Sequence, residues 1–203
     1  MSATDLPEGV TSIDPDKGLW GRVYRVAPLV IVGTREADGY DLAPKHLAGP
    51  LSWEGHFGFV CADRHATYHN AKANGGFTVS FPRPDQIVLA SLAAAPREGW
   101  EGGKPVLEGL PVFPGTVIDA PLVIDCDLYL ECELDRIIDG FGVNSLIAGR
   151  VVAAHAHEAA LITSDEDPEA RLRVNPLLAY IEPGRFAAVG DTQVFPFPEG
   201  FRR

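Results

Sequence analysis

Basic side chains are scarce in this sequence. Seventeen lysines and arginines stand against 28 acidic residues in 203 positions, which leaves a formal net charge of −11. Affinity for nucleic acid depends on neutralising phosphates with basic side chains, and an anionic lipid surface repels an acidic protein. We therefore expect neither nucleic acid nor a membrane among the binding partners.

Long hydrophobic runs are also missing. The longest apolar stretches, residues 26–32 and 87–95, fall far short of the roughly 20 residues that span a bilayer. Residues 1–20 lack the basic start and apolar stretch of a signal peptide and are expected to form an N-terminal arm. We expect a cytoplasmic protein.

Cysteine is rare, with three residues and no CxxC spacing. Cys61, Cys126 and Cys132 each lie in an apolar run, so the pattern predicts buried free thiols rather than a disulfide framework or a metal site. Free thiols agree with a reducing compartment.

The common catalytic signatures are absent: there is no GxSxG, no Walker A motif, no GxGxxG after a strand and no HExxH. Two pairs of histidines make a metal site an alternative to be considered. His65 and His69 are spaced to share a helix face, and His155 and His157 are spaced to share a strand face. The alternative is that the first pair is partly solvated and the second faces a cleft or an interface.

Alternating apolar and polar residues indicate strands. The clearest pattern covers residues 122–136 and predicts a half-buried strand with a carboxylate-rich outer face. That predicted outer face consists of Asp127, Tyr129, Glu131, Glu133 and Asp135. A second long strand is predicted over 144–157, with Gly140 and Gly142 in the hairpin turn. Shorter strands are predicted at 27–33, 56–62 and 77–81.

Two helices are predicted. Asp63 is the expected N-cap of a helix over 64–74 that stops at Gly75, and Asp85 is the expected cap of a helix over 86–95. Many strands, few helices and long connections favour a mainly β, antiparallel barrel with a few peripheral α-helices. We expect that domain to cover residues 21–175.

One group of residues predicts a phosphate-binding pocket. Arg35 and Arg64 offer guanidinium forks, Thr34 and Thr67 offer hydroxyls, and the first predicted helix offers free backbone amides at its N-terminus. Taken singly, each of these side chains is equally compatible with a solvated surface position.

The order of these parts resembles the flavin reductase-like, FMN-binding split-barrel family. The resemblance extends over roughly residues 23–160 and rests on six segments: 30–35 (VIVGTR), 38–46 (DGYDLAPKH), 64–67 (RHAT), 75–80 (GGFTVS), 130–134 (LECEL) and 146–152 (LIAGRVV). It implies a homodimeric split barrel with a Greek-key element that holds FMN near the subunit interface.

The same resemblance implies the site residues. The implied FMN contacts are Thr34, Arg35, Ala43, Pro44, Lys45, His46, Arg64, Thr67, Asn70 and Ser80. His46 and His155 are the candidates for assisting proton transfer. The sequence departs from the family pattern at three places: Asp41 replaces an asparagine, Lys45-His46 stands where a serine is usual, and Ser80 replaces another asparagine.

The resulting functional expectation is an FMN-binding oxidoreductase that takes hydride from NADH or NADPH. Reduced flavin would then serve a small-molecule electron acceptor, or free flavin for a partner oxygenase. Three alternatives stay open: an FMN-binding electron-transfer protein without nicotinamide-dependent activity, a β-barrel that binds another small molecule, and a histidine-lined metal enzyme.

Residues 176–203 form an extension rich in phenylalanine and proline. A solvated segment of this composition would present a large apolar patch. We expect the extension to pack on the barrel or to wrap a partner subunit.

Overall fold

The computed structural model describes residues 6–97, 103–163 and 167–201 and has a mainly β fold. Twelve strands are present in these ranges: β1 (Arg25–Pro28), β2 (Val30–Glu36), β3 (Gly39–Lys45), β4 (Ala48–Ser52), β5 (His56–Ala62), β6 (Gly76–Phe81), β7 (Val112–Pro114), β8 (Pro121–Val123), β9 (Leu128–Phe141), β10 (Asn144–Ala156), β11 (Leu177–Glu182) and β12 (Arg185–Val189). The described α-helices are α1 (Ala66–Asn74), α2 (Ile87–Leu92) and α3 (Pro168–Val174). None of the helices in these ranges is long and apolar enough to cross a membrane.

Seven strands form one antiparallel sheet in the order β3-β2-β6-β9-β10-β5-β4. The two edge strands of this sheet, β3 and β4, are consecutive in the chain and are joined by only His46 and Leu47. Two residues span less than about 10 Å, so the sheet has to curl until its edges approach each other. The predicted antiparallel β architecture is confirmed, as is the long β9–β10 hairpin.

The core has two parts because β2 is buried on both faces. Val30 and Val32 face the inside of the curled sheet, where Phe59 and Phe77 pack edge to face at 5.0 Å between ring centroids. Ile31 faces the other way, into a cluster with α2, β8 and Cys126. All three cysteines are buried and free, as predicted.

The predicted outer face of β9 is wrong in its first half. Asp127, Tyr129 and Glu131 are buried, whereas Glu133 and Asp135 are exposed. The β7–β8 unit and the loop that joins its strands cover this face of β9. Sequence alternation identified the parity of the strand but not the second layer packed against it.

The helices begin and end differently from the prediction. Helix α1 starts at Ala66 with His65, not Asp63, at its N-cap, and it ends as predicted at Gly75, which takes the left-handed conformation at φ 69°. Helix α2 is limited to Ile87–Leu92, preceded by a 3-10 turn over Pro84–Gln86 that contains Asp85.

The structure divides the C-terminal extension into two parts. β11 pairs with β1 and with β12 in a separate three-stranded sheet. Beyond β12, all but one of residues 191–201 are exposed.

Glu131 holds the β7–β8 loop through its carboxylate, which is completely buried. Its two oxygens accept hydrogen bonds from the backbone amides of Thr116, Val117 and Ile118 at 2.7–2.9 Å and from the Thr116 hydroxyl at 2.7 Å. Burial by itself raises the pKa of Glu131, but these donors outweigh it and lower the pKa to about 2.

We expect Glu131→Gln to destabilise the fold by about 2–4 kcal/mol at pH 7, because an amide NH₂ group would face backbone donors. Because the pKa of Glu131 is lower in the folded protein than in the unfolded chain, the ionised carboxylate stabilises the fold fully at pH values above the unfolded-state pKa. This stabilisation decreases as the pH falls towards the folded-state pKa of about 2. The difference from wild type in urea unfolding should therefore shrink below about pH 4.5. Glu133→Gln, on the exposed side of β9, is the matched control, with an expected change within about 0.5 kcal/mol. An equal loss in both variants would contradict this role of Glu131.

Candidate functional site

A cleft of about 920 Å³ lies beside the outer edge of β3. Helix α1 forms one wall, and segments 93–97 and 103–104 form the other. Because β3 is an edge strand of the sheet, its outer backbone has no strand partner among the described residues, and Ala43, Pro44 and Lys45 of this strand line the cleft. The volume lies within the range of cofactor pockets, about 300–1,000 Å³.

The end of the cleft at α1 is suited to an anion. Within the described part of the chain, no side chain caps α1, and the backbone amides of Ala66 and Thr67 donate to no carbonyl or side chain. Arg64 precedes these amides and forms no ion pair with any described residue, while Lys45 lines the same end. Free helix N-terminal amides beside cationic side chains form an anion-binding site.

A buried ionic cluster around Asp41 lies in the middle of the cleft. The carboxylate of Asp41 is 2% exposed, and its Oδ1 atom is 2.9 Å from Lys104 Nζ and 3.3 Å from Arg97. The Thr67 hydroxyl donates to Asp41 Oδ2 at 3.3 Å. Lys104 also donates to the carbonyls of Leu42 and Ala93, which ties the second wall of the cleft to β3.

The far end of the cleft is held by a second set of polar contacts. Arg97 pairs with Glu36, and the Asn70 amide donates to Glu36 Oε1 at 3.1 Å and to the Thr34 hydroxyl at 3.2 Å. Asp41 and Glu36 are therefore neutralised, and the cations left to face a ligand are those at the start of α1.

His65 lines the cleft next to these cations. Burial lowers the pKa of His65, and the charges of Lys45, Arg64 and Lys104 lower it further, against an opposing effect of Asp41. The imidazole is therefore neutral at pH 7 and able to accept a hydrogen bond or a proton.

A metal centre is not supported by the described residues. His65 and His69 both line the cleft, as their spacing predicts. No group of three or more histidine, cysteine, aspartate or glutamate side chains in the described ranges is arranged to hold a metal ion.

Six of the ten residues that the family resemblance implies as FMN contacts line the cleft: Ala43, Pro44, Lys45, Arg64, Thr67 and Asn70. Thr34 is buried just behind this wall, where it accepts the hydrogen bond from Asn70. The cleft therefore brings together six of the implied contact residues, which lie up to 27 positions apart in the sequence.

Two implied contacts lie elsewhere for clear physical reasons. The Arg35 side chain stacks on Tyr40, at 5.0 Å from the ring centroid, and pairs with Asp119 at 3.7 Å. Ser80 is buried, and its hydroxyl accepts a hydrogen bond from the Val123 amide at 3.0 Å, which joins β6 to β8. Neither side chain lines the cleft.

The two candidate proton-transfer histidines also lie outside the cleft lining. His46 stacks on Tyr180 and lies 3.3 Å from Glu182, and burial lowers its pKa while Glu182 opposes that shift. His155 Nε2 lies 3.3 Å from Glu131 Oε1 and is not among the residues that line the cleft.

Lys104 and Arg97 are functional candidates that sequence reasoning missed. Both lie in the stretch 96–121, where glycine and proline indicate only loop. Asp41 attracted notice solely as a departure from a family pattern. Their contact joins positions about 60 residues apart, which no periodicity or local motif signals.

The sequence matches the model of the flavin reductase like domain over residues 24–182. The chain therefore belongs to the flavin reductase-like family, and with it to the expected split-barrel fold class. No curated protein matches the sequence.

Solved structures show the same fold at low sequence identity. Flavoredoxin from Methanosarcina acetivorans superposes with a TM-score of 0.73 at 20% identity, covering 94% of this chain and 97% of that chain. The FMN-binding protein from Thermus thermophilus superposes with a TM-score of 0.72 at 22% identity, covering 92% of this chain and 98% of that chain. The Streptomyces globisporus NADH:FAD oxidoreductase SgcE6 superposes with a TM-score of 0.69 at 16% identity, covering 88% of this chain and 97% of that chain.

We expect the pKa of His65, measured by NMR titration, to lie below 6.5 and to rise in Lys45→Gln, because that substitution removes a nearby positive charge. Lys72→Gln is the control, since Lys72 is a cation in the last turn of the same helix. A His65 pKa that does not respond to Lys45→Gln, or responds equally to Lys72→Gln, would contradict the electrostatics described here.

Proposed function

We propose that this protein is an FMN-dependent oxidoreductase that accepts hydride from NADH or NADPH. The observation that carries the proposal is the uncapped N-terminus of α1, flanked by Arg64 and Lys45 in a cleft large enough for a flavin. Membership in the flavin reductase-like family supports a flavin as the occupant.

The residues at the start of α1 fit the phosphate group of FMN. Two free amides, at Ala66 and Thr67, supply directed donors, and Arg64 supplies a fork that matches phosphate geometry. Thr67 contributes its amide rather than its hydroxyl, because the hydroxyl is engaged with Asp41.

The outer backbone of β3 fits the flat ring system of a flavin. Ala43 and Pro44 offer a small, partly apolar surface there, and no other described strand pairs with this edge of β3. When bound, the flavin supplies the redox chemistry by taking up a hydride equivalent and passing its electrons on. Lys45 places a positive charge where it favours an anionic ring.

One histidine beside the proposed phosphate end of the cleft is placed to handle protons. His65 is neutral at pH 7 and lines the cleft, so it accepts a proton there without a prior deprotonation step. His46, the candidate taken from the family resemblance, stacks on Tyr180 and pairs with Glu182 outside the cleft lining, so His65 replaces it as the proposed proton acceptor.

The proposal includes a cytoplasmic homodimer. Exposed apolar side chains on β1 and at the end of β4, among them Val26, Leu51 and the 97% exposed Trp53, supply a surface that a second subunit would cover. The natural electron acceptor would be a small molecule, or free flavin that serves a partner oxygenase.

We expect the FMN-loaded protein to lose its visible flavin absorbance on anaerobic mixing with NADH or NADPH. The rate should exceed that of free FMN mixed with the same donor. Bleaching by neither donor, with FMN still bound, would favour the alternative role as an electron-transfer protein.

We expect Arg64→Ala to weaken FMN binding by about 1–3 kcal/mol, because the variant loses a charge-assisted hydrogen bond to the phosphate. Thr67→Ala should weaken FMN binding by less, near the lower end of that range, because the backbone amide of residue 67 remains. Affinity is measured by quenching of flavin fluorescence on titration.

Lys72→Ala is the control for charge, since it removes a cation from the other end of α1. Riboflavin, which lacks the phosphate, should bind wild type and Arg64→Ala with similar affinity. Wild-type FMN affinity in Arg64→Ala would overturn the phosphate assignment.

A further inference from the structure

The two walls of the cleft meet at one carboxylate, that of Asp41. From α1, the Thr67 hydroxyl donates to Asp41 Oδ2 at 3.3 Å. From the other wall, Lys104 Nζ lies 2.9 Å from Asp41 Oδ1. Lys104 also donates to the carbonyl oxygens of Leu42 at 2.9 Å and Ala93 at 3.2 Å. Asp41 therefore connects the start of α1 to a lysine on the opposite wall.

Both charges of this pair are buried. The side chain of Lys104 is 9% exposed and that of Asp41 is 2% exposed, and a charge is costly to bury unless it is paired. Asp41 Oδ1 accepts no hydrogen bond from the described residues, so its contact with Lys104 acts through charge. Arg97 lies farther from Oδ1, at 3.3 Å, and also pairs with Glu36. Lys104 is therefore the closer and less divided counter-charge of Asp41.

The Asp41 carboxylate lies near the proposed phosphate position. Thr67 offers its backbone amide to that position and its hydroxyl to Asp41. Because the amide and hydroxyl of one threonine are about 3 Å apart, a phosphate on this amide lies roughly 7 Å from the carboxylate. At an effective dielectric constant of about 20, one charge at this distance changes the affinity for an anion by about ten-fold or more.

We propose that Lys104 is a positioning residue for the phosphate of FMN. It acts through Asp41: it cancels the charge of that carboxylate and holds it against Thr67, so that the start of α1 accepts an anion. Lys104 needs no contact with the phosphate to have this effect. The inference rests on the proposed function, since it takes the phosphate of a flavin as the ligand at α1.

The ratio of the affinities for FMN and riboflavin tests this role, because riboflavin lacks the phosphate. Lys104→Met should lower the ratio by about ten-fold or more in fluorescence titrations, since the uncancelled carboxylate repels phosphate. Lys104→Arg keeps the charge and should stay within about three-fold of wild type. Lys72→Met, which removes a cation from the last turn of α1, is the matched control and should also stay within that range. An unchanged ratio in folded Lys104→Met would overturn the proposal.

The partner substitution has the opposite expected sign. Asp41→Asn keeps an oxygen that accepts from Thr67 but leaves the charge of Lys104 uncancelled, so the ratio should rise by about three-fold or more. The double variant Asp41→Asn/Lys104→Met removes both charges and should return the ratio to the wild-type value. If Lys104 only held the wall in place, the double variant would lose as much as Lys104→Met, and that result would refute the charge mechanism.

The Asp41→Asn background keeps the test decisive if Lys104→Met does not fold. In that background, Lys104→Met removes a charge without leaving a bare carboxylate. The FMN-to-riboflavin ratio should then fall by about three-fold or more. Equal ratios in Asp41→Asn and the double variant would count against the proposal.

His65 detects the same two charges without any flavin. Lys104 lowers the pKa of His65 and Asp41 raises it. In NMR titrations, the pKa of His65 should therefore rise in Lys104→Met and fall in Asp41→Asn, and a shift in the same direction in both would contradict the charge pair. Wild-type protein that binds neither FMN nor riboflavin would reject the proposed function itself. Normal FMN binding with an unmoved affinity ratio would reject the role of Lys104 alone.

Discussion

The two-residue connection between β3 and β4 is the constraint on which the remaining architecture depends. These strands form opposite edges of a seven-stranded sheet, and so short a connection requires the sheet to curl. Curling encloses the aromatic core around Phe59 and Phe77. It also leaves the outer edge of β3 facing α1, and the cleft forms along that edge.

Neutralisation of Asp41 determines what this cleft can bind. An unpaired buried carboxylate beside the start of α1 would repel a phosphate and would be costly to bury. Lys104 and Arg97 remove that obstacle and at the same time attach the second wall of the cleft to β3. One ionic cluster therefore serves both the shape and the charge of the site. Arg64 and Lys45 form no ion pair with any described residue, and Lys45 Nζ donates only to the Cys61 thiol at 3.4 Å.

Much of the fold could be predicted from local patterns, but the second layer could not. The β9–β10 hairpin, strand β5 and the end of α1 at Gly75 follow from alternation and turn chemistry. The same alternation placed Glu131 in solvent, because a pattern shows which residues share a face and not what covers it. The loop at residues 116–118 satisfies that carboxylate through backbone amides, which are independent of side-chain identity.

The sequence by itself determined the antiparallel β class, the family and six of the residues that line the cleft, since these depend on short motifs and on the composition of single elements. Tertiary structure alone decided that Arg35 and Ser80 lie outside the cleft and that Lys104 lies within it. The reason is physical: a charged side chain takes the nearest counter-charge in space. For Lys104 that partner is Asp41, 63 positions away in the chain and 2.9 Å away in the folded protein.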